Sequence, residues 1–289
     1  MSGRSTAVVL GGGGLAGIGW LTGVLAAWEE QGALRLGDAD RVIGTTAGAA
    51  VAAAVLQAGS ARAEFDRMTR KSRRNEELAP PVALADVLPD VLAVHGSTDS
   101  PQEKAGRLAR LSRQRADIDP SLRRSAVAGR LHGDTWPGDR LHVTAVRADG
   151  RRTVFTRASG IGIVDAVTAS CAVPGLWPVV RIGGEEYVDG GTFSLTHAEL
   201  ADTAEEVIVL RPTPELPAYV TDAHRAVLER ATLIEPSERA RAAFGPDPFD
   251  PDVRGLAAVV GYEDGLALTP AAAPSPTASA RAGWRVAAS

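Results

Sequence analysis

Cysteine is almost absent from this chain: Cys171 is the only one in 289 residues. A single thiol excludes a disulfide framework and a thiolate metal cluster. It lies in the small-residue run Ala169-Ser170-Cys171-Ala172-Val173-Pro174-Gly175, which reads as a packing site for an inert thiol rather than the setting of a nucleophile. Long apolar runs are missing as well, and none approaches the roughly 20 residues of a membrane-spanning helix. Met1-Ser2-Gly3-Arg4 leads straight into a short strand and glycines, which leaves no room for a secretory apolar region of about 7 to 15 residues. Cytoplasmic residence is the expectation, with peripheral membrane contact left open. The chain shows no calcium loop, and no nucleic-acid partner is expected. Aromatic residues are scarce, at 4%, so a ligand pocket would be lined by aliphatic residues of the helical arm over 62–132 and near Leu176 and Trp177, which suits an acyl chain.

What remains is ordinary soluble-protein material. A composition of 45% apolar and 23% charged residues over this length builds one large domain, or one domain with an inserted arm. The first 60 residues alternate a strand over Thr6 to Leu10, a glycine loop, a helix over Ile18 to Gln31, a strand at Arg41-Val42-Ile43, a tight turn, and a small-residue helix from Ala49 to Leu56. This βαβα opening predicts an α/β fold with a parallel sheet covered by helices. Residues 62–132 read instead as a helical arm, with helices over Arg62–Glu77, Val82–Val94, Gln102–Arg115 and Pro120–Leu131. Strands resume over Arg140–Val146, Arg152–Thr156, Val179–Ile182 and Glu206–Leu210, with a helix near Val164–Cys171. A single domain over 1–269 is therefore expected, followed by an Ala/Pro/Ser-rich tail over 270–289 that buries too little apolar surface to order itself.

Charge divides along the same line. Residues 62–132 hold 14 Lys or Arg against 10 Asp or Glu, while the remainder holds 17 against 25. The arm is thus basic on an acidic body. Arg107, Arg110 and Arg113 recur on one face of a helix whose Leu108 and Leu111 take another. Such a row reads either as a solvated face or as a surface that draws in an anionic substrate, an anionic membrane or an acylated carrier.

Three motifs carry chemistry. Gly44-Thr45-Thr46-Ala47-Gly48 has the layout Gly-x-nucleophile-x-Gly at a strand-to-helix turn, where flanking glycines let the helix start close to the strand and a central hydroxyl point out of the sheet. Gly11-Gly12-Gly13-Gly14-Leu15-Ala16-Gly17 follows the first strand and can turn backbone N–H groups toward negative charge. Gly12-x-Gly14-x-x-Gly17 also fits a dinucleotide fingerprint, but the second strand ends in Gly44-Thr45-Thr46 without the acidic residue that would bind a ribose. An oxyanion hole built from Gly12, Gly13 and Gly14 fits better. The third motif is Tyr187-Val188-Asp189-Gly190-Gly191, where a strand delivers a carboxylate and Gly190 and Gly191 free the backbone to turn and leave it accessible as a general base. Of the five histidines, only His197 and His224 follow the turn late enough to complete a triad, and neither has a motif around it, so both read as surface or structural residues.

In this order the three motifs, with Ala169 to Pro178 ahead of the aspartate, resemble those of the patatin-like phospholipase family, over residues 6 to about 210 and more loosely from Glu235 to Gly265. The resemblance implies a three-layer α/β/α sandwich with a mostly parallel sheet and an inserted helical arm. It further implies acyl-ester hydrolysis or transfer by a nucleophile and Asp189 without histidine, on a lipid or other acyl ester, with no metal and no organic cofactor. The chain departs from the family pattern at Thr46, where serine is usual. Threonine keeps the hydroxyl but adds a methyl that must point at the oxyanion loop or at the substrate, and a misplacement of about 1 Å costs on the order of 10²-fold in rate. Three outcomes are open: a slow or specialised acyl hydrolase or acyltransferase, a fold repurposed to bind an acylated ligand or to promote non-hydrolytic chemistry, or an exchange introduced to slow turnover.

Overall fold

The computed structural model describes residues 4–70, 77–215 and 220–270. All but the first residue of the expected tail, and part of the helix expected up to Glu77, lie outside the described residues. The chain runs β1 (Thr6–Leu10), α1 (Gly14–Glu30), β2 (Arg41–Gly44), α2 (Ala47–Ala58) and α3 (Ala61–Thr69). It continues through α4 (Leu84–His95), α5 (Pro101–Arg115), α6 (Pro120–Ala128), β3 (Leu141–Arg147), β4 (Arg152–Phe155) and α7 (Ile163–Ser170). The last part holds β5 (Val180–Ile182), β6 (Glu185–Asp189), β7 (Glu206–Leu210), α8 (Asp222–Arg230), β8 (Thr232–Ile234), α9 (Glu238–Phe244) and α10 (Val253–Ala267).

The strands form one sheet in the order β5-β6-β3-β2-β1-β7-β8, with β4 also paired to β3. β1 is central and parallel to both neighbours, and β2–β3 and β7–β8 are parallel too. Pairing turns antiparallel only at the end that holds β4, β5 and β6. Alternation along β1 separates the layers: Val8 and Leu10 enter the main core, while Ala7 and Val9 enter a smaller one against Ala198, Ala201 and Val227. Helices therefore cover both faces of a mostly parallel sheet, which is the three-layer α/β arrangement.

α1 is buried from Leu15 through Trp28, and no polar face separates it from its neighbours. A helix apolar all round must be enclosed, and α10 supplies the outer cover. The two helices are also tied by polar links that leave no indole N–H stranded: Trp20 donates to Asp264 Oδ2 at 2.8 Å and Trp28 to the Leu268 carbonyl at 2.6 Å. α3 packs on the same pair.

In α5 the expected amphipathic pattern holds, with Leu108 buried and the arginine row facing out. Much of that row is engaged, however. Arg107 pairs with Asp99 at 2.5 Å, and Arg113 pairs with Glu186 of β6, which fastens α5 to the sheet edge.

Candidate active site

The elbow forms where β2 ends and α2 begins. Thr46 takes φ 48° and ψ −110°, one of two positive-φ non-glycine residues among those described. For a β-branched residue this is strained backbone, and it persists because its surroundings hold it from several sides. The Thr46 N–H donates to Ser170 Oγ at 2.9 Å, and the Cys171 thiol donates to the Thr46 carbonyl at 3.2 Å. Thr45 N–H donates to the Leu10 carbonyl at 3.1 Å, and its hydroxyl meets that of Thr144 at 2.8 Å. Gly48 lies so close to β1 that a Cβ there would overlap the Leu10 carbonyl, which explains why the helix can start within one residue of the nucleophile position. Cys171 is thus a packed residue that braces the elbow, and burial pushes its thiol up to about 11.

Sheet topology brings Asp189 to this turn. Val143 of β3 pairs with both Gly44 of β2 and Phe155 of β4, so those two strands lie on opposite edges of β3. Ala145 pairs with both Asp189 of β6 and Thr153 of β4, so β6 lies on the same edge as β2. β6 takes over that edge where β2 stops for the elbow. Its last residue, Asp189, then arrives two positions along β3 from the end of β2.

Asp189 is 3% exposed. Its Oδ1 accepts the Gly191 N–H at 2.6 Å, while Oδ2 has no hydrogen-bond partner. Burial pushes the carboxyl up to about 7, against the opposing pull of the Gly191 N–H, the nearby Thr46 hydroxyl and the Arg123 guanidinium. A carboxyl tuned to that value and facing a hydroxyl is suited to take a proton near neutrality.

The glycine loop divides its tasks among its residues. Gly12 N–H is engaged by the Leu195 carbonyl at 2.8 Å, so it is not free for an oxyanion as its place in the motif suggested. Its lack of a side chain matters instead, because a Cβ there would overlap the Thr46 methyl. That contact answers which way the methyl points: toward the loop. The N–H groups of Gly13 and Gly14, and that of Ala47 at the start of α2, have no acceptor among the described residues. Gly14 has φ 63° and sits against the Pro248 carbonyl, so glycine is required there on both counts.

Behind the loop, Glu215 accepts from Ser194 Oγ at 2.8 Å, Leu195 N–H at 2.9 Å and Thr196 N–H at 2.7 Å. It thereby fixes the carbonyl that holds Gly12. His197 Nε2 contacts the Gly190 carbonyl at 3.0 Å, and His224 Nδ1 contacts Glu199 at 3.2 Å. Burial alone would raise Glu199, but hydrogen bonds from both histidines hold it well below the usual carboxylate range. Both histidines are buried structural residues behind the aspartate turn rather than surface residues.

A small, partly open cavity of about 20 Å³ lies beside Thr46. Leu15, Ile18, Val173, Trp177 and Phe249 give it an apolar lining, and Gly14 and Ala47 reach it from the two loops. Trp177 takes the position expected of it, but the arm lines the cavity with Arg123 and Arg130 rather than with the aliphatic residues expected from it. Leu176 instead packs fully buried with Val87 of α4. Sequence reasoning missed Ser170 and Glu215, which act only through contacts across the fold, and it missed Arg123 and Arg130, both of which line the cavity. Among the described residues no group of three or more His, Cys, Asp or Glu side chains could hold a metal ion, and no helix is long and apolar enough to cross a membrane.

Residues 8–202 match the family model described as patatin-like phospholipase. No curated protein matches the chain. Among solved structures, VipD from Legionella pneumophila is 15% identical with a TM-score of 0.47, covering 93% of this chain and 67% of its own. The type III effector ExoU is 18% identical with a TM-score of 0.40, covering 91% of this chain and 52% of its own. A complex of SpcU with ExoU from Pseudomonas aeruginosa gives 17% identity and a TM-score of 0.36 over 90% of this chain. The chain therefore spans about two thirds of VipD and about half of ExoU.

Proposed function

The chain belongs to the patatin-like phospholipase family, and from that premise we propose that it is an acyl-ester hydrolase or acyltransferase in which Thr46 is the nucleophile and Asp189 the general base. The observation that carries this reading is the pairing of a strained hydroxyl, on positive-φ backbone, with a buried carboxyl that has one unpartnered oxygen and is pushed up to about 7.

Asp189 takes the Thr46 Oγ proton as Oγ bonds to the ester carbonyl carbon, and the carbonyl π electrons move to oxygen. The N–H groups of Gly13, Gly14 and Ala47 are the donors we assign to that oxygen. Collapse breaks the bond to the alcohol, which leaves with the proton from Asp189. Water, or an acceptor alcohol for transfer, then attacks the acyl-threonine carbonyl and gives its proton to Asp189. Release of acid or new ester returns the proton to Thr46. The apolar lining of the cavity suits the acyl chain. No step calls for a metal or cofactor.

The Thr46 methyl against Gly12 favours a second reading, because it occupies space beside the loop that would hold the oxyanion. In that reading the cavity binds an acylated ligand, or promotes non-hydrolytic chemistry, without a covalent step. Hydrolysis of a short-chain lipid ester by the parent chain, Thr46→Ala and Asp189→Asn separates the two. The nucleophile reading expects turnover in the parent that rises with pH through about 7 and levels off, and none in either variant. Equal turnover in the parent and Thr46→Ala would sink it.

A further inference from the structure

α6 shows an inversion of the usual order. Leu122 is 57% exposed, whereas the next residue, Arg123, is 3% exposed. Asp119 caps the helix by accepting the Ser121 N–H, and Pro120 starts it, so the register that turns Arg123 and Val127 inward is built into the first turn. A leucine in water and an arginine in the interior together run against burial energetics, unless the buried charge has a task.

Arg123 is incompletely satisfied where it lies. Its Nη2 reaches the Cys171 carbonyl at a long 3.4 Å, and the guanidinium stacks on the Trp177 ring at 3.8 Å. Nε and Nη1 have no hydrogen-bond partner. Arg130 on the same cavity differs, because it grips Glu77 through Nε and Nη2, and Arg254 pairs with that same carboxylate. Glu77 is thus shared by two other guanidiniums. Arg123 and Arg130 both line the cavity beside the hydroxyl of Thr46, and of the two only Arg130 is hydrogen-bonded to a carboxylate.

We propose that Arg123 is the specificity residue of this cavity, and that its unpartnered Nη1, together with the second N–H of the weakly engaged Nη2, binds an oxyanion group, phosphate or carboxylate, carried by the acyl-ester substrate. A guanidinium fork matches such a group in two parallel hydrogen bonds. Stacking on Trp177 fixes the plane of the fork before the ligand arrives, so little side-chain freedom is lost on binding. The arm therefore contributes to anion selection from inside the cavity, in addition to any attraction its exposed arginines exert. This inference rests on reading the cavity as the acyl-ester site and goes beyond it by naming the charge of the substrate.

The test is a binding comparison on the full chain carrying Thr46→Ala, which removes turnover. Calorimetric titration is made with monohexanoyl glycerol phosphate, with monohexanoyl glycerol and with inorganic phosphate. The phosphate ester is expected to bind at least tenfold more tightly than the neutral ester and than inorganic phosphate. Adding Arg123→Gln should bring the two esters within about twofold of each other, and Arg123→Lys should restore only part of the preference. Equal binding of the two esters to the Thr46→Ala chain overturns the proposal whatever the Arg123 variants do. So does an undiminished preference in Arg123→Gln, and so does inorganic phosphate binding as tightly as its ester, which would assign the group to a free anion. If the parent chain proves not to hydrolyse esters while the charge preference persists, the nucleophile assignment fails and the anion subsite stands.

Discussion

Two carboxylates lie almost sealed from water within the same half of this molecule, Glu77 with 2% of its side chain exposed and Asp189 with 3% of the residue exposed, and they have opposite characters. Glu77 receives hydrogen bonds from Arg130 and an ion pair from Arg254. Burial alone would raise its pKa, but the two guanidiniums hold it lowered. Asp189 receives one backbone N–H and is pushed up to about 7. The same desolvation is thus cancelled at one site and left standing at the other. Paired, a buried carboxylate locks elements together; left half-satisfied beside a hydroxyl, it has the character of the base we propose.

That contrast breaks most sharply at Asp189. Asp189→Asn should remove turnover by about 10² to 10⁴-fold, the usual contribution of a general base, and should also stabilise the fold in alkali. The folded state holds the Asp189 proton more tightly than the unfolded state does, so its contribution favours folding at low pH and is lost as pH rises from about 4 to about 7. The variant should lack that decline and exceed the parent at pH 8 by roughly 1 to 4 kcal/mol in denaturant unfolding. Glu77→Gln should do the reverse, leaving the Thr46–Asp189 pair in place but costing about 3 to 5 kcal/mol of stability by stranding buried charge. Its contribution has the opposite pH sign, being present above the unfolded carboxylate value and lost in acid.

At the elbow the expected effects are smaller. Thr46→Ser removes the methyl that faces Gly12 and should raise the rate of ester hydrolysis by about 10 to 100-fold, as expected from restored placement of the attacking oxygen. Gly12→Ala should be damaging in the parent and far milder in the Thr46→Ser background, because the overlap it creates is with that methyl. A double-mutant cycle in stability reads this coupling directly. Thr46→Gly should relieve strained backbone by about 1 to 3 kcal/mol, visible as a rise in thermal midpoint of about 2 to 4 °C per kcal/mol.

Much of this arrangement is legible in the sequence because the elbow and the glycine loop are local. Gly44 to Gly48 and Gly11 to Gly17 announce their turns through residues that few other backbones require, and β1, β2, β7 and the arm helices follow from periodicity within a few residues. The antiparallel edge is less legible, because β6 joins β3 only where β2 gives way to the elbow, and no short-range pattern encodes that handover. Arg123 is hidden for another reason. In the run Leu122-Arg123-Arg124 composition favours a buried leucine and solvated arginines, and only the register set by Asp119 and Pro120 reverses it. The strand β8 and helices α8 to α10 were not anticipated as elements. For α10 a signal exists in the paired spacings Gly19 to Gly23 and Gly261 to Gly265, small residues that let α1 and α10 approach closely.

Acylation of the Thr46 hydroxyl is the step on which the proposed chemistry depends. The most direct measurement is intact-mass analysis after exposure to a long-chain activated ester or a fluorophosphonate, followed by peptide mapping. A stoichiometric adduct on Thr46, forming more slowly as pH falls below about 7 and absent from Thr46→Ala and Asp189→Asn, is the predicted result. An adduct that survives Thr46→Ala, or a parent chain that binds the ester saturably without any adduct, would contradict it.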